Sequence, residues 1–182
     1  MLEFGEVLSN ADKFNEIGIY QYGIINTKDI PFLEEIRKIC KDNTCRNYAS
    51  TWACPPAVGT FDECRQRCMD YDKALVFSGK YFLKNSFDIR GMRSAHAEFK
   101  NVCDRLAELI KNDIKEFLLL SNESCMRCEK CTYPASPCRF PDTLYPSLEG
   151  FGIYASKLAN IASIDYNNGE NTVTYFGALL FV

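Results

Sequence analysis

Residues 125–138 read CMRCEKCTYPASPC, and we expect the rest of the chain to be organised around them. Their thiols belong to Cys125, Cys128, Cys131 and Cys138, at the spacing C-x2-C-x2-C-x6-C. The two short gaps bring three sulfurs into one tight turn, and the fourth follows along a segment stiffened by proline. This spacing favours a [4Fe–4S] cluster, because the bacterial ferredoxin motif C-x2-C-x2-C-x3-C-P opens in the same way. A single tetrahedral zinc fits less well, since zinc sites usually pair two separate C-x2-C knuckles.

Length and composition predict one globular domain over residues 1–182. The chain is 47% hydrophobic and 25% charged, which is typical of a folded protein with a sizeable core. It opens without a secretory signal, and no apolar stretch approaches the ~18 residues needed to cross a bilayer, so we expect a cytoplasmic protein with no membrane contact. The formal charge of −3 provides no field that would attract phosphate backbones, so we expect no nucleic-acid partner.

The chain has 10 cysteines, and they are grouped rather than scattered. In a reducing compartment such groups are expected to bind metal rather than form disulfides. Cys40, Cys45 and Cys54 form an upstream group that would need a fourth ligand to hold a second cluster. Cys64 is the candidate, because the start of a helix favours a thiolate. The alternative is that Cys64 and Cys68 only complete an apolar stripe, since buried free cysteine is a common small hydrophobe.

Strand and helix patterns alternate along the sequence. They predict an α/β or α+β fold, a single layered domain with one mixed sheet, helices packed on it and two cysteine-rich metal-binding loops. Thr60 and Glu63 form a capping box that starts one helix. His96 falls on the buried stripe of another helix with Phe99 and Cys103, so it is expected to be a core residue rather than a base or a ligand. Strands are expected over about residues 16–26, 74–82, 116–120 and 171–182. Helices are expected over about residues 31–41, 60–71, 86–112 and 147–160.

Charged and aromatic residues near the cysteines are expected to support a bound cluster. Arg127, Lys130 and Arg139 lie within or beside the Cys125 loop and are expected to offset the negative charge of a bound cluster. The alternative is that they are solvated loop charges. Trp52, near the upstream cysteines, is expected to keep water away from a cluster.

Several short motifs accompany the cysteine spacings. They are Trp52-x-Cys54-Pro55-Pro56, Cys131-Thr132-Tyr133-Pro134, Pro137-Cys138-Arg139 and Pro146-Ser147-Leu148-Glu149. Together they resemble an uncharacterised prokaryotic family described as predicted metal-binding proteins, a domain of unknown function frequent in anaerobes, over about residues 16–181. The resemblance implies a cysteine-bound metal, with an iron–sulfur cluster as the expected form. It implies no particular activity.

The first hypothesis is therefore an iron–sulfur protein with one or two [4Fe–4S] clusters, acting in electron transfer or as the redox partner of an anaerobic enzyme. One alternative is a zinc-stabilised structural or binding module, whose metal only holds loops in place. A further alternative is an enzyme: with three cysteine ligands at the upstream group, one iron would be open to substrate. The oligomeric state is left open, and a homodimer would form if the apolar strand near residues 171–182 paired with a second copy.

Overall fold

The computed structural model describes residues 11–182. Its helices are α1 (Ala11–Glu16), α2 (Glu34–Lys41), α3 (Phe61–Met69), α4 (Ile89–Ile110) and α5 (Ala155–Ile161), its strands are β1 (Gln21–Asn26), β2 (Lys73–Phe82), β3 (Phe117–Ser121) and β4 (Thr172–Phe181), and short 3-10 helices cover Thr27–Asp29, Pro141–Thr143 and Glu149–Phe151. No helix within residues 11–182 is long and apolar enough to cross a membrane.

The strands form one sheet in the order β1-β2-β4-β3, and all three neighbouring pairs are antiparallel. The predicted fold class, a layered domain of one sheet with packed helices, is confirmed. The sheet is antiparallel rather than mixed, because β4 lies between β2 and β3. These two strands run in the same direction and are joined through α4, but β4 separates them and pairs with each.

The two faces of the sheet carry different helices. Side chains alternate between the faces along each strand, so neighbouring residues of β2 and β4 enter different cores. One core packs α4 against the sheet, and the other packs α3 and α5 against the opposite face. The first core includes Leu75, Phe77, Phe99, Leu106 and Leu179, and the second includes Cys64, Cys68, Val76, Leu158 and Phe176.

Helix α3 begins as the sequence predicts. The Thr60 hydroxyl accepts a hydrogen bond from the Glu63 amide at 3.2 Å, and the Glu63 carboxylate accepts one from the Thr60 amide at 2.7 Å. This capping box satisfies two of the free amides at the start of the helix. It also sets the helix so that Cys64 and Cys68 both face the core, and burial raises the pKa of Cys68 to about 12.

Two predicted helices have different bounds in the structure. The helix expected from Pro31 begins only at Glu34, because Phe32 is extended and pairs with Ile153 in an isolated β-bridge. That helix has no buried residue, and its Cys40 is half-buried.

The helix expected over residues 147–160 is interrupted. The Ser147 hydroxyl accepts from the Gly150 amide at 2.9 Å and starts only the 3-10 helix, which ends at Gly152. Gly152 has φ +77°, and a Cβ there would lie 2.5 Å from the ring of Phe61, so only glycine fits. Helix α5 starts after this break, at Ala155.

Strand β4 lies inside the sheet, because it pairs with β2 on one side and with β3 on the other. Both of its edges are therefore occupied within the chain. A homodimer cannot form by pairing β4 with a second copy while this sheet is intact, since a strand has only two edges.

Candidate metal centre

The Cys125 loop begins directly after β3, where Asn122 fixes the chain. The Asn122 amide donates to the Phe176 carbonyl at 2.8 Å, and its side-chain oxygen accepts from the Phe176 amide. Its side-chain nitrogen donates to the Glu149 carboxylate at 2.7 Å. The start of the loop is thus attached to β4 and to the 3-10 helix at Glu149–Phe151.

The structure brings Cys125, Cys128, Cys131 and Cys138 to the wall of one small cavity, of about 20 Å³. All four side chains are half-buried. A thiolate is the soft ligand that iron–sulfur clusters and zinc both take. The remaining residues on this wall are Thr51, Trp52, Arg127, Thr132, Arg139 and Leu144.

Backbone amides point at two of these sulfurs. The Arg127 amide lies 3.5 Å from the Cys125 sulfur and the Phe140 amide lies 3.4 Å from the Cys138 sulfur. Burial raises the pKa of Cys125, and the Arg127 amide and the charge of Lys100 lower it. Amide donors of this kind stabilise negative charge on thiolate sulfur, which a bound metal requires.

Arg127 is the cation most firmly placed beside the loop. Its guanidinium makes a two-armed contact with the Asp104 carboxylate on α4, with one nitrogen–oxygen distance of 2.7 Å, and donates to the Thr143 carbonyl at 3.2 Å. The Tyr145 hydroxyl donates to the same carboxylate at 2.7 Å. Part of the Arg127 charge is therefore offset by Asp104, and its main effect is to tie the loop to α4.

The other two predicted cations differ from each other. Arg139 lines the cavity and donates to the Lys130 carbonyl at 3.0 Å, which closes the loop on itself. The Lys130 side chain is exposed and is not among the residues that line the cavity.

Lys100, on α4, is a buried lysine that the sequence pattern does not single out, and burial lowers the pKa of its ammonium. Its ammonium donates to the Ser121 hydroxyl at 2.8 Å and to the Asn122 carbonyl at 2.7 Å, at the point where β3 leads into the loop. It lines a cavity of about 230 Å³ with Cys125. The sequence signal was available, because Lys100 follows the buried His96 by one helical turn and so falls on the same face.

Trp52 covers the Cys125 loop from the upstream part of the chain. Its ring packs edge-on against Tyr133 at 4.9 Å between centroids, and its indole nitrogen donates to the Ser136 carbonyl at 3.2 Å. The predicted role of Trp52 as a cover thus has a contact to support it. Trp52 stands two residues before Cys54 in the sequence, but its contacts are with the downstream Cys125 loop.

The upstream cysteines meet at a second, larger cavity. Cys40, Cys45 and Cys54 line a space of about 540 Å³, together with Glu123 and Glu149. Cys40 lies in the last turn of α2, and the other two lie in the irregular segment between α2 and α3. Burial, together with the negative charge of Glu149 and of the neighbouring thiols, raises the pKa of Cys40 to about 11. The remaining lining residues are Ile36, Ile39, Thr44, Asn47, Tyr48, Pro55, Ser124 and Ser147.

Cys64 is not among the residues that line this cavity. Its thiol donates to the Val58 carbonyl at 3.4 Å and lies 3.7 Å from the Arg37 guanidinium. It is fully buried beside Cys68. This placement agrees with the alternative stated from the sequence, in which Cys64 and Cys68 complete an apolar stripe.

The segment that carries Cys45 has a strained backbone. Asn43, Arg46 and Ala49 have φ between +52° and +62°, the left-handed region that non-glycine residues rarely adopt. Each such residue costs on the order of 1 kcal/mol, and such residues cluster at binding sites. The segment is held by the Ala49 amide, which donates to the Pro55 carbonyl at 2.8 Å.

His96 is a core residue, as predicted, and it stacks on Tyr175 at 5.3 Å between centroids. Burial and the charge of Lys100 lower the pKa of His96 to about 4. Its Nδ1 lies 3.3 Å from the carboxylate of Glu123, and its Nε2 is buried without a hydrogen-bond partner. His96 is therefore neutral at pH 7.

Within residues 11–182, no three His, Cys, Asp or Glu side chains stand close enough to hold a metal ion directly. The four thiols of the Cys125 loop share one cavity wall, and the three upstream thiols share another. Metal binding at either place requires these side chains to move closer together.

The fold and the two thiol-lined cavities define a cysteine-rich α+β domain with the donor groups of a metal-binding protein. A family model matches residues 23–181, and the chain belongs to that family, described as Predicted metal-binding protein (DUF2284). No curated protein and no solved structure gives a significant match to the chain.

Proposed function

We propose that Cys125, Cys128, Cys131 and Cys138 bind a [4Fe–4S] cluster and that the protein transfers electrons to a redox partner protein. The observation that carries the proposal is the convergence of these four thiols on one small cavity. Their spacing supports a cluster over a single zinc ion. When bound, such a cluster supplies one-electron transfer at a potential set by its surroundings.

Residues around the loop support this chemistry in separate ways. The amides of Arg127 and Phe140 direct N–H groups at two of the sulfurs. Lys100 lies buried beside Cys125. Burial lowers its pKa, but the negative charge of a bound cluster would favour its ammonium form, which in turn favours the more negative, reduced form of the cluster. Trp52 and Tyr133 shield the loop on one side, which reduces access of water and oxygen.

A cytoplasmic location belongs to the same proposal. A reducing compartment keeps thiols free for metal, and all ten cysteines of the chain are unpaired in the structure. A second cluster at the upstream cysteines is the other part of the proposal, supported by the shared cavity of Cys40, Cys45 and Cys54.

The alternative function is a zinc-stabilised binding module. It is favoured by the lack of any helix or strand between Ser121 and Pro141, a segment that a single ion would order. This reading predicts a colourless protein that unfolds on chelation and has no redox signal.

The deciding experiment is anaerobic purification followed by counts of iron, acid-labile sulfide and zinc per chain. The proposal expects about four iron and four sulfide for one cluster, or about eight of each for two. It also expects a visible absorption band that bleaches on reduction. A protein that contains zinc and no sulfide would contradict the cluster proposal and support the zinc-stabilised binding module.

A further inference from the structure

An exposed apolar surface lies outside both cysteine groups, where β2 leads into α4. Phe82, Phe87 and Ile89 have exposed fractions of 81%, 89% and 65%, and none of them lines either thiol-lined cavity. Single exposed apolar side chains are common on folded proteins, but a group of them within eight residues marks an interaction surface. We call it the 80–93 surface, because it extends over residues 80–93.

Lys80 joins the apolar side chains to a second aromatic residue. Its ammonium lies 5.3 Å from the centroid of the Phe82 ring and 5.2 Å from that of Tyr20, which precedes β1 and is itself exposed. Contacts of this kind place a positive charge on the faces of exposed rings. Apolar and charged groups are therefore interleaved on the 80–93 surface.

Three more basic side chains lie on the 80–93 surface. Lys84, Arg90 and Arg93 are exposed and take part in none of the ion pairs that the described part of the chain contains. Asp88, the acidic residue of this segment, is engaged by the backbone, because its carboxylate accepts from the amides of Lys84 at 3.2 Å and Gly91 at 2.9 Å. The 80–93 surface is thus positive on a chain whose formal charge is −3.

The turn that presents these side chains is ordered by its own hydrogen bonds. The Phe87 amide donates to the Asn85 side chain at 2.9 Å, and the Leu83 amide donates to the Asn171 carbonyl at 2.8 Å, at the start of β4. Glu170 adjoins this second contact in the sequence, so the neighbourhood holds two acidic residues against four basic ones and stays positive. The backbone is satisfied, and the apolar side chains remain in water.

We propose that the 80–93 surface attaches the protein to a lipid bilayer that carries anionic headgroups. Phe82, Phe87 and Ile89 enter the headgroup region, and the basic side chains contact the lipid phosphates. The inference goes beyond the proposed function and needs no bound metal. The sequence predicted no membrane contact because no segment is long enough to span a bilayer, but attachment to one surface requires no such segment.

The chemistry of the surface favours a bilayer over a protein partner. A side chain as exposed as Phe87 projects from the surface, and a protein partner would need a matching pocket for each such anchor, whereas headgroups adapt to it. Aromatic rings beside basic side chains are typical of residues at a membrane–water interface. Stable attachment takes an apolar and an electrostatic signal together, and the 80–93 surface supplies both. Anionic lipids face the cytoplasm, which agrees with the proposed location.

The first measurement is sedimentation of the full chain, purified anaerobically, with lipid vesicles. Vesicles of phosphatidylcholine with about 30% phosphatidylglycerol are compared with vesicles of phosphatidylcholine alone. We expect at least about tenfold tighter binding to the anionic vesicles, and weaker binding in about 0.5 M sodium chloride, because salt screens the headgroup charge. No binding, or equal binding to both kinds of vesicle, would overturn the inference.

A charge-matched pair of variants tests whether the 80–93 surface carries the binding. Lys84→Gln with Arg90→Gln should weaken binding to the anionic vesicles roughly 25-fold, since each basic side chain near such a surface contributes about fivefold. The control is Arg65→Gln with Lys157→Gln, which removes the same charge from exposed positions of α3 and α5 and should weaken binding only a few fold. Equal losses in the two variants would mean that net charge alone drives binding, against the inference.

The apolar signal is tested by two further variants. Phe82→Ser with Phe87→Ser should weaken binding by on the order of tenfold or more, and circular dichroism checks that this variant is folded, as expected for exposed positions. Phe87→Trp adds an emission that is measured against the background of Trp52, the one tryptophan of the chain. We expect this emission to move to shorter wavelength with anionic vesicles. An unchanged emission means that the ring stays in water and contradicts the insertion.

Other occupants of the surface give different results. If wild type is a dimer by light scattering, binds no vesicles and becomes a monomer in Phe82→Ser with Phe87→Ser, the surface joins two copies and the inference fails. Binding to soluble polyglutamate as tight as to anionic vesicles would indicate an acidic protein partner instead, and also overturns it. Iron and sulfide counts are made in parallel on the same samples. They decide the cluster proposal separately, because none of the substituted residues is a cysteine.

Discussion

The Cys125 loop encloses about 20 Å³ between four thiols and two arginines, whereas the Cys40 group lines about 540 Å³ with three thiols and two glutamates. The first arrangement is closed and has cations beside it, and the second is open and negative. Under the proposed function, the closed group of four thiols would supply every protein ligand of a cluster, whereas the open group has only three thiols. The two groups of cysteines look alike in the sequence. They differ in the volume of the cavity and in the charges of the residues around the thiols.

The largest expected effect is the loss of iron from the Cys125 loop when one of its thiols is removed. Cys128→Ala removes one of the four thiols of the Cys125 loop, and we expect complete loss of that cluster, seen as about four fewer iron atoms per chain. Cys68→Ala is the matched control, because Cys68 is fully buried in the core. We expect the control to keep its metal and to lose about 1–2 kcal/mol of stability in chemical denaturation. Equal iron contents in the two variants would contradict the assignment.

The next prediction concerns the cover that the closed site has and the open site lacks. Trp52 lines the Cys125 cavity but not the Cys40 cavity. Trp52→Ala removes the contact with Tyr133 and the hydrogen bond to Ser136, so we expect the Cys125 cluster to bleach several-fold faster in air. Trp52→Phe keeps a ring and should fall between alanine and wild type. The measurement is the decay of visible absorption, and identical decay in all three proteins would show that Trp52 is not a cover.

A smaller effect is expected on the reduction potential when a lysine near the Cys125 loop is replaced. Lys100 is buried beside Cys125, whereas Lys130 lies within the loop sequence but is exposed. Removing a buried positive charge destabilises the reduced cluster, so Lys100→Met should lower the reduction potential of the Cys125 centre by tens of mV. Lys130→Met should change it by much less, because water and salt screen an exposed charge. A redox titration compares them, and a larger shift for Lys130→Met would show that burial does not control the potential.

The smallest expected effect is a pH dependence of stability from His96, which contacts Glu123 at the edge of the open site. Its pKa is about 4 in the folded protein and 6.5 in the unfolded chain, so below pH 6.5 the unfolded chain takes up the proton first. The stability that neutral His96 contributes is present above pH 6.5 and is lost as the pH falls towards 4.

We expect wild type to lose on the order of 2 kcal/mol more than His96→Phe between pH 6.5 and pH 4.5. Phenylalanine can keep the stacking on Tyr175 but does not titrate. Denaturation curves at several pH values measure the difference, with the iron content checked at each pH. Parallel curves for the two proteins would show that His96 does not titrate differently on folding.

Local signals in the sequence were enough for most of the fold. The Thr60 and Glu63 capping box, the buried stripe of α4 and the apolar strands each depend on residues within a few positions of one another, and all are present. The break at Gly152 was missed because it depends on the distant Phe61 ring and on the bridge between Phe32 and Ile153. Periodicity carries no information about such contacts.

The candidate site shows the same limit. The spacing of the Cys125 loop was sufficient to group its four thiols, since they are close in sequence. For the upstream group the sequence identifies the three thiols that share a cavity, but not Glu123 and Glu149, which reach that cavity from beyond β3. Lys100 was missed for a different reason: a lysine on a helical stripe is usually solvated, and only its bonds to Ser121 and Asn122 explain its burial.

The central position of β4 has a consequence for how the protein is made. Both cysteine groups precede β4 in the chain, and β2 and β3 are joined into one sheet only when β4 pairs with both, although β2 can pair with β1 earlier. Pairing between segments so far apart in sequence is slow to form. The thiols are therefore exposed on a nascent chain without its sheet, and metal delivered at that stage would meet flexible loops rather than shaped cavities. If a cluster binds as proposed, its loops reach the shape described above only after β4 has docked, so in cells the yield of loaded protein should depend on keeping the thiols reduced until then.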